Sequence, residues 1–165
     1  EIRARQKRYD DSLRQLETAR QLAPYTHPPK VLLAVYRFQN GEADRAKELL
    51  HQAHSEQPTH PVPDLFLGQF AIRDMDWDAA RQHLDSAATR SVPDNWPASH
   101  VRRFLILLHS ERLKLAQQLQ DEALAKDAAE EWLEIEPENS RVREIQEALN
   151  SNQGDTGGAS DSRSQ

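Results

Sequence analysis

Cysteine is absent from the 165 residues, which excludes disulfides and thiolate metal sites and leaves the redox compartment open. Glycine is scarce: three of the five stand in the last fifteen residues, and no glycine-rich phosphate loop can be found. Gly-x-Ser-x-Gly and His-Glu-x-x-His are missing too, so neither a nucleophile elbow nor a zinc-protease helix is offered. No apolar run approaches the length of a membrane span. Basic residues are in the minority, 21 Lys and Arg against 27 Asp and Glu, and the net charge of −6 argues against a general nucleic-acid binder. No secretory leader is visible, and the chain opens at Glu1 in what reads as mid-repeat, as a piece of a longer protein would.

What is present is a polar, helix-forming sequence. A hydrophobic fraction of 37% with 29% charged residues and a mean hydropathy of −0.86 is low for a conventional globule of this size. It suits a thin layered stack of repeats, each with much of its surface in water. A period is indeed there. Ala46, Leu50 and Ala53 recur 34 residues on as Ala80, Leu84 and Ala87, and Leu33-Ala34 recurs as Leu67-Gly68. Backwards, Leu50, Ala53 and Pro58 map onto Leu16, Ala19 and Pro24, while Tyr9, Ala43 and Trp77 share one column.

These columns have a physical sense. Ala46 and Ala53 lie two turns apart on one helix face with Leu50 between them, so two helices can approach closely while the leucine fills the gap. Gly68 plays the same part from the other helix. Pro24 and Pro58 close the second helix of each unit, and Asn40-Gly41 supplies a turn within the first full unit.

The 34-residue spacing with these residues in these columns resembles the tetratricopeptide repeat. The resemblance implies an all-α solenoid of antiparallel helix–turn–helix units in a right-handed superhelical array, covering residues 1–150. The units fall at about 1–24 (partial), 27–58, 61–93 and 97–137, followed by a capping helix at 139–150 and a disordered tail at 151–165. In the partial unit, residues 1–6 read as the end of a lost helix A and Tyr9 to Leu22 as helix B. The fourth unit diverges: its closing Pro137 comes 11 residues late, about three helical turns, and Arg102 stands where the family prefers a small residue. Helices are expected there over 98–119 and 122–135, and the first helix of the 61–93 unit is expected over 64–73.

The histidines and carboxylates are the side chains from which chemistry could come. His51 and His54, three apart, with His60 beyond them, could in principle meet a metal. No fourth ligand stands at a fitting spacing, so they read as the polar side of a helix. His27, His83, His100 and His109 read as scattered. The carboxylates of DEALAKDAAEEWLEIEPE read as the solvated side of a helix whose apolar side carries Leu124, Ala128, Trp132 and Ile135. No catalytic residue, metal site or cofactor is expected, and the chain is not read as an enzyme.

The resemblance implies instead a protein or peptide partner, held in the concave groove of the A helices. Carried over by position, the groove comprises Val31, Val35, Phe38 and Gln39, then Leu65, Gln69, Ile72 and Arg73, then Trp96, Ser99, His100, Arg103 and Ile106. Its apolar character with basic accents at Arg73, His100 and Arg103 calls for an apolar partner bearing acidic residues. The alternative for the same positions is packing between neighbouring A helices. The Lys/Asn/Arg carboxylate clamp of chaperone-docking relatives is missing, since Val31, Val35, Val62 and Phe66 occupy the corresponding positions. Two further readings stay open: self-assembly through Leu13, Leu16 and Ala19, with homo-oligomers as the outcome, or service as the recognition arm of a larger, possibly enzymatic, protein. Base-by-base RNA reading is disfavoured by the period and the negative charge. The cytoplasm and the periplasm of a bacterium fit equally.

Overall fold

The computed structural model describes residues 2–23 and 27–155. They form eight helices and no strand: α1 (Ile2–Leu22), α2 (Pro29–Gln39), α3 (Ala43–Glu56), α4 (Pro61–Arg73), α5 (Trp77–Thr89), α6 (Ala98–Leu119), α7 (Glu122–Ile135) and α8 (Ser140–Asp155). The all-α helical-repeat class expected from the period is what the chain adopts. Pro24, expected to close the first unit, and the tail residues 156–165 lie outside the described residues. Two compact units, residues 1–104 and 105–165, divide within α6.

In the first unit α2 pairs with α3 and α4 with α5, α4 also packing on α3 and α1 on α2. The small-residue columns bring each pair together. Ala46, Leu50, Ala80 and Leu84 are fully buried, and Ala53 and Ala87 nearly so. At Gly68 the approach is so close that an added Cβ would lie 2.7 Å from both Cγ and Cδ2 of Leu84. Ala34, one repeat earlier, carries its Cβ at 0% exposure. The second hairpin has therefore closed around the missing methyl.

Each A helix stops by the same device. After α2, Gly41 takes φ +79°, its N–H donates to Phe38 O, and the Glu42 N–H donates to Arg37 O. After α4 the left-handed residue is Met75 (φ 59°), with Met75 N–H to Ile72 O and Asp76 N–H to Ala71 O. After α6 it is Gln120 (φ 54°), with Asp121 N–H to Ala116 O. This paired 6→1 and 5→2 bonding caps orphan carbonyls at a helix end. Helix B then starts at once: Asp76 accepts from the Ala79 N–H and Asp121 from the Leu124 N–H.

Met75 follows Gly41 by 34 residues, and Gln120 follows Met75 by 45, so the 11 extra residues all lie before the turn, in α6. Beyond it the columns resume, with Ala125 in the place of Ala46 and Ala80 and Ala129 in that of Leu50 and Leu84. This rotates the buried stripe of α7 from the one expected. Leu124 and Ala128 are buried, but so are Ala125 and Ala129, while Trp132 and Ile135 are only half-buried. In this second unit Asn139 caps α8 by accepting from the Val142 N–H, and α8 packs on α7.

Three boundaries differ from expectation. α1 runs unbroken where a turn was expected after residue 6, because residues 2–22 contain no glycine or proline to stop it. α4 begins at Pro61 rather than Asp64; Pro61 and Pro63 sit in the first turn, where a missing N–H costs nothing. α8 continues through residues 151–155, placed in the tail by sequence, with Ser151 Oγ donating to Glu147 O.

Candidate functional site

The residues expected to line the A-helix face separate by burial. Val31 (0% exposed), Leu65 (1%) and Trp96 (7%) are core and cannot meet a partner. Val31 and Leu65 occupy one column, and both point into the hairpin rather than across its face. Val35, Gln69 and Ile72 are half-buried, while Phe38, Arg73 and Arg103 are exposed. Gln39 and Ser99 are exposed too and His100 and Ile106 half-buried; the strip taken up below is Val35, Phe38, Gln69, Ile72, Arg73 and Arg103.

Phe38 and Arg73 form one structure. The Phe38 ring meets Phe70 edge-on, centroids 4.8 Å apart, and the Arg73 guanidinium carbon stands 4.9 Å from each ring centre. Such cation–π and T-shaped contacts each contribute roughly 0.5–1.5 kcal/mol. Arg73 Nε and Nη2 also donate to Asp74 Oδ1, at 3.0 and 2.9 Å, and Lys47 Nζ donates to Asp74 Oδ2. The two cations hold the Asp74 carboxyl below its ordinary range. Phe38 and Phe70 belong to neighbouring A helices, so packing between A helices, the alternative reading of these positions, is realised at this pair. Even so, Phe38 keeps 41% of its surface in water.

Trp96 was misplaced because the loop before α6 turns it inward. Its ring is surrounded by His100 (4.7 Å between centroids), Phe104 (5.5 Å), His60 (5.6 Å) and His27 (6.2 Å). Side chains from the approaches to α2, α4 and α6 meet there, and the seemingly scattered His27 and His100 lie 5.2 Å apart. Burial, assisted by His100, lowers His27 to about 4. Burial, assisted by Arg20, His27 and Arg90, lowers His60 to about 4 as well. His60 must be neutral for a second reason: its Nδ1 accepts the Val62 N–H at 3.3 Å, capping α4.

A polar hub missing from the sequence reading sits at Asp64, 1% exposed in the first turn of α4. Its Oδ1 lies 2.9 Å from His83 Nδ1 and 3.2 Å from His54 Nδ1; Oδ2 accepts from Ser86 Oγ at 3.1 Å and pairs with Arg90. Burial alone would raise this carboxyl, yet the His83 hydrogen bond and the charges of His54 and Arg90 hold it below its ordinary value. The hub ties α3, α4 and α5 together. Nothing in the sequence signals it, because its members are spread over 37 positions without a shared spacing.

His51 and His54 therefore take part in the surroundings of Asp64, whereas His60 faces Trp96. Among the described residues no group of three or more His, Asp or Glu is placed to hold a metal. In the second unit, Glu131 is exposed as expected of the solvated side, and it also accepts from Arg112 and lies 3.2 Å from the buried His109. Burial lowers His109, with Glu131 opposing and Arg112 adding to the shift. On α1, Leu13 and Leu16 are half-buried and Ala19 is exposed.

No described helix is long and apolar enough to cross a membrane. Comparison of the sequence with curated proteins gave no significant match. The family model of the tetratricopeptide repeat matches residues 37–98, which hold the Gly41 turn, α3, the α4–α5 hairpin and the connection carrying Trp96. Repeats of this kind are typically non-enzymatic and generally mediate contacts between proteins, and over residues 37–98 this chain is similar to them.

Proposed function

We propose that the chain is a non-catalytic interaction module whose A-helix face, at Val35, Phe38, Gln69, Ile72, Arg73 and Arg103, holds a segment of a partner protein. The observation that carries this reading is Phe38. An aromatic ring 41% exposed, yet fixed by Phe70 and Arg73, loses little freedom on binding and suits the role of an anchor. Val35 and Ile72 extend an apolar strip beside it. Arg73 is partly neutralised by Asp74, while Arg103 is exposed, so the face favours an apolar segment with a carboxylate toward Arg103. The reading is the same whether the chain acts alone or as the recognition arm of a longer protein.

The test compares the chain with a Phe38→Ala/Ile72→Ala double variant in pull-downs from source lysate, followed by titration of the captured protein. Circular dichroism melting confirms that the variant is folded. Loss of capture and at least tenfold weaker binding by the folded variant support the face. Equal capture and equal affinity refute it.

A further inference from the structure

The same capped turn closes α2, α4 and α6, but the pair of residues at its corner differs. It is Asn40-Gly41 after α2, Asp74-Met75 after α4 and Leu119-Gln120 after α6. Of the five asparagines, Asn40 alone is followed by glycine. That pair is the one most open to ring closure, because glycine puts no side chain in the way when its backbone nitrogen attacks the asparagine amide. Asn40 is also exposed, so water can reach it.

The folded turn holds the reacting atoms apart. A five-membered ring requires Cβ of Asn40 to eclipse the Gly41 nitrogen about the Cα–C bond. At ψ 12° it is the backbone nitrogen of Asn40 that nearly eclipses it, and Cβ is turned away. The groups that must move are engaged as well. The Gly41 N–H donates to Phe38 O at 2.9 Å, and Asn40 Nδ2 donates to Tyr36 O at 2.8 Å. Beyond them the Glu42 N–H donates to Arg37 O at 3.0 Å, while Arg37 Nη1 donates to both carboxylate oxygens of Glu42, at 3.1 and 3.0 Å. Ring closure therefore waits on opening of the cap.

We propose that Asn40 is a site of spontaneous deamidation, gated by the C-terminal cap of α2. When the cap opens, the Gly41 nitrogen bonds to Cγ of Asn40 and the bond from Cγ to the side-chain nitrogen breaks. The Gly41 proton passes through solvent to the departing nitrogen, which leaves as ammonia. Water then adds to one of the two carbonyls of the succinimide and opens the ring to aspartate or isoaspartate. Either product brings a carboxylate to the negative end of α2, where it is unfavourable. Isoaspartate also threads Cβ into the main chain, so the Gly41 and Glu42 N–H groups can no longer both reach Phe38 O and Arg37 O. The reaction is thus one-way: once the cap has let it happen, the cap cannot close as before.

The full chain is incubated in mildly alkaline buffer, native and in guanidinium chloride. The tryptic peptide that carries position 40 is followed by mass spectrometry for the mass gain of an amide turned into an acid. In denaturant, conversion at position 40 should outpace that at Asn95, Asn139 and Asn150. In the native chain it should be slower by at least about tenfold. Arg37→Ala loosens the turn without touching the reacting pair. It should speed native conversion at least about threefold and leave the rate in denaturant unchanged. The isoaspartate form should melt below both the unconverted chain and Asn40→Asp, which has the charge without the longer main chain. Equal rates in native and denatured chain, no conversion at position 40 in denaturant, or a native rate untouched by Arg37→Ala would overturn the proposal. So would an isoaspartate form that melts together with the unconverted chain.

Discussion

Gly68 and Met75 mark opposite ends of what one residue can do in this molecule. At Gly68 a methyl would press into Leu84, which is 0% exposed and has no room to retreat. Gly68→Ala is expected to lower stability by about 1–3 kcal/mol, the usual cost of overpacking, read as a lower urea midpoint. Met75 holds φ 59° with its side chain 71% exposed, so it carries the strain of the left-handed region without burying much surface. Met75→Gly should raise stability by about 0.5–1 kcal/mol, and an unchanged or lower melting temperature would count against the capping account of that turn. The buried histidines set the response to acid. His27 and His60 have folded values of about 4 against an ordinary 6.5, so between those limits the unfolded chain binds more protons. Stability is therefore full above pH 6.5 and falls as the pH drops toward 4, by at most about 3 kcal/mol for each histidine. His60→Asn keeps an N-cap acceptor but removes one of the two titrating rings. Its urea midpoint should depend less steeply on pH between 6.5 and 4.5 than that of the unaltered chain.

Among the elements, the helices themselves were the most readable part of the sequence. The 34-residue columns located α2 to α5, and the late Pro137 announced the lengthened hairpin, because close helix packing demands small residues at fixed offsets. What sequence left open was decided by contacts without a period. The Asp64 hub and the ring cluster about Trp96 draw on loops and helix ends, so no column reveals them, and Trp96 was assigned to a surface it does not reach. Val31 and Leu65 show the finer limit: their column lies next to the open one, and a shift of one residue around a helix separates core from contact face. The break expected in α1 failed for the opposite reason, since a repeat pattern cannot impose a turn on a segment with no residue that stops a helix. The elements should also differ in how readily they open. α4 is enclosed by α3 and α5, whereas α1 is packed on α2 alone among the stronger contacts and keeps Leu22 at 85% exposure. Amide hydrogen exchange is expected to be slowest in α4 and the buried face of α5, and faster by at least a hundredfold in α1 and in residues 151–155. Uniform protection across α1 and α4 would contradict this ranking.

At the scale of the molecule, buried and half-buried polar groups tie helices together. Asp64 with His54, His83 and Arg90 joins three helices, and Arg112 with Glu131 joins two. The exposed large apolar side chains among the described residues are Leu22, Tyr36, Phe38 and Met75, of which Phe38 carries the proposed contact face. The most direct measurement is site-specific photo-crosslinking in source lysate, with a benzoylphenylalanine placed at Ile72 or at the outward-facing Asp85. The account predicts a discrete crosslinked protein from position 72 and none from position 85. Crosslinks from position 85 alone would put recognition on the B helices and contradict the assignment of the A-helix face.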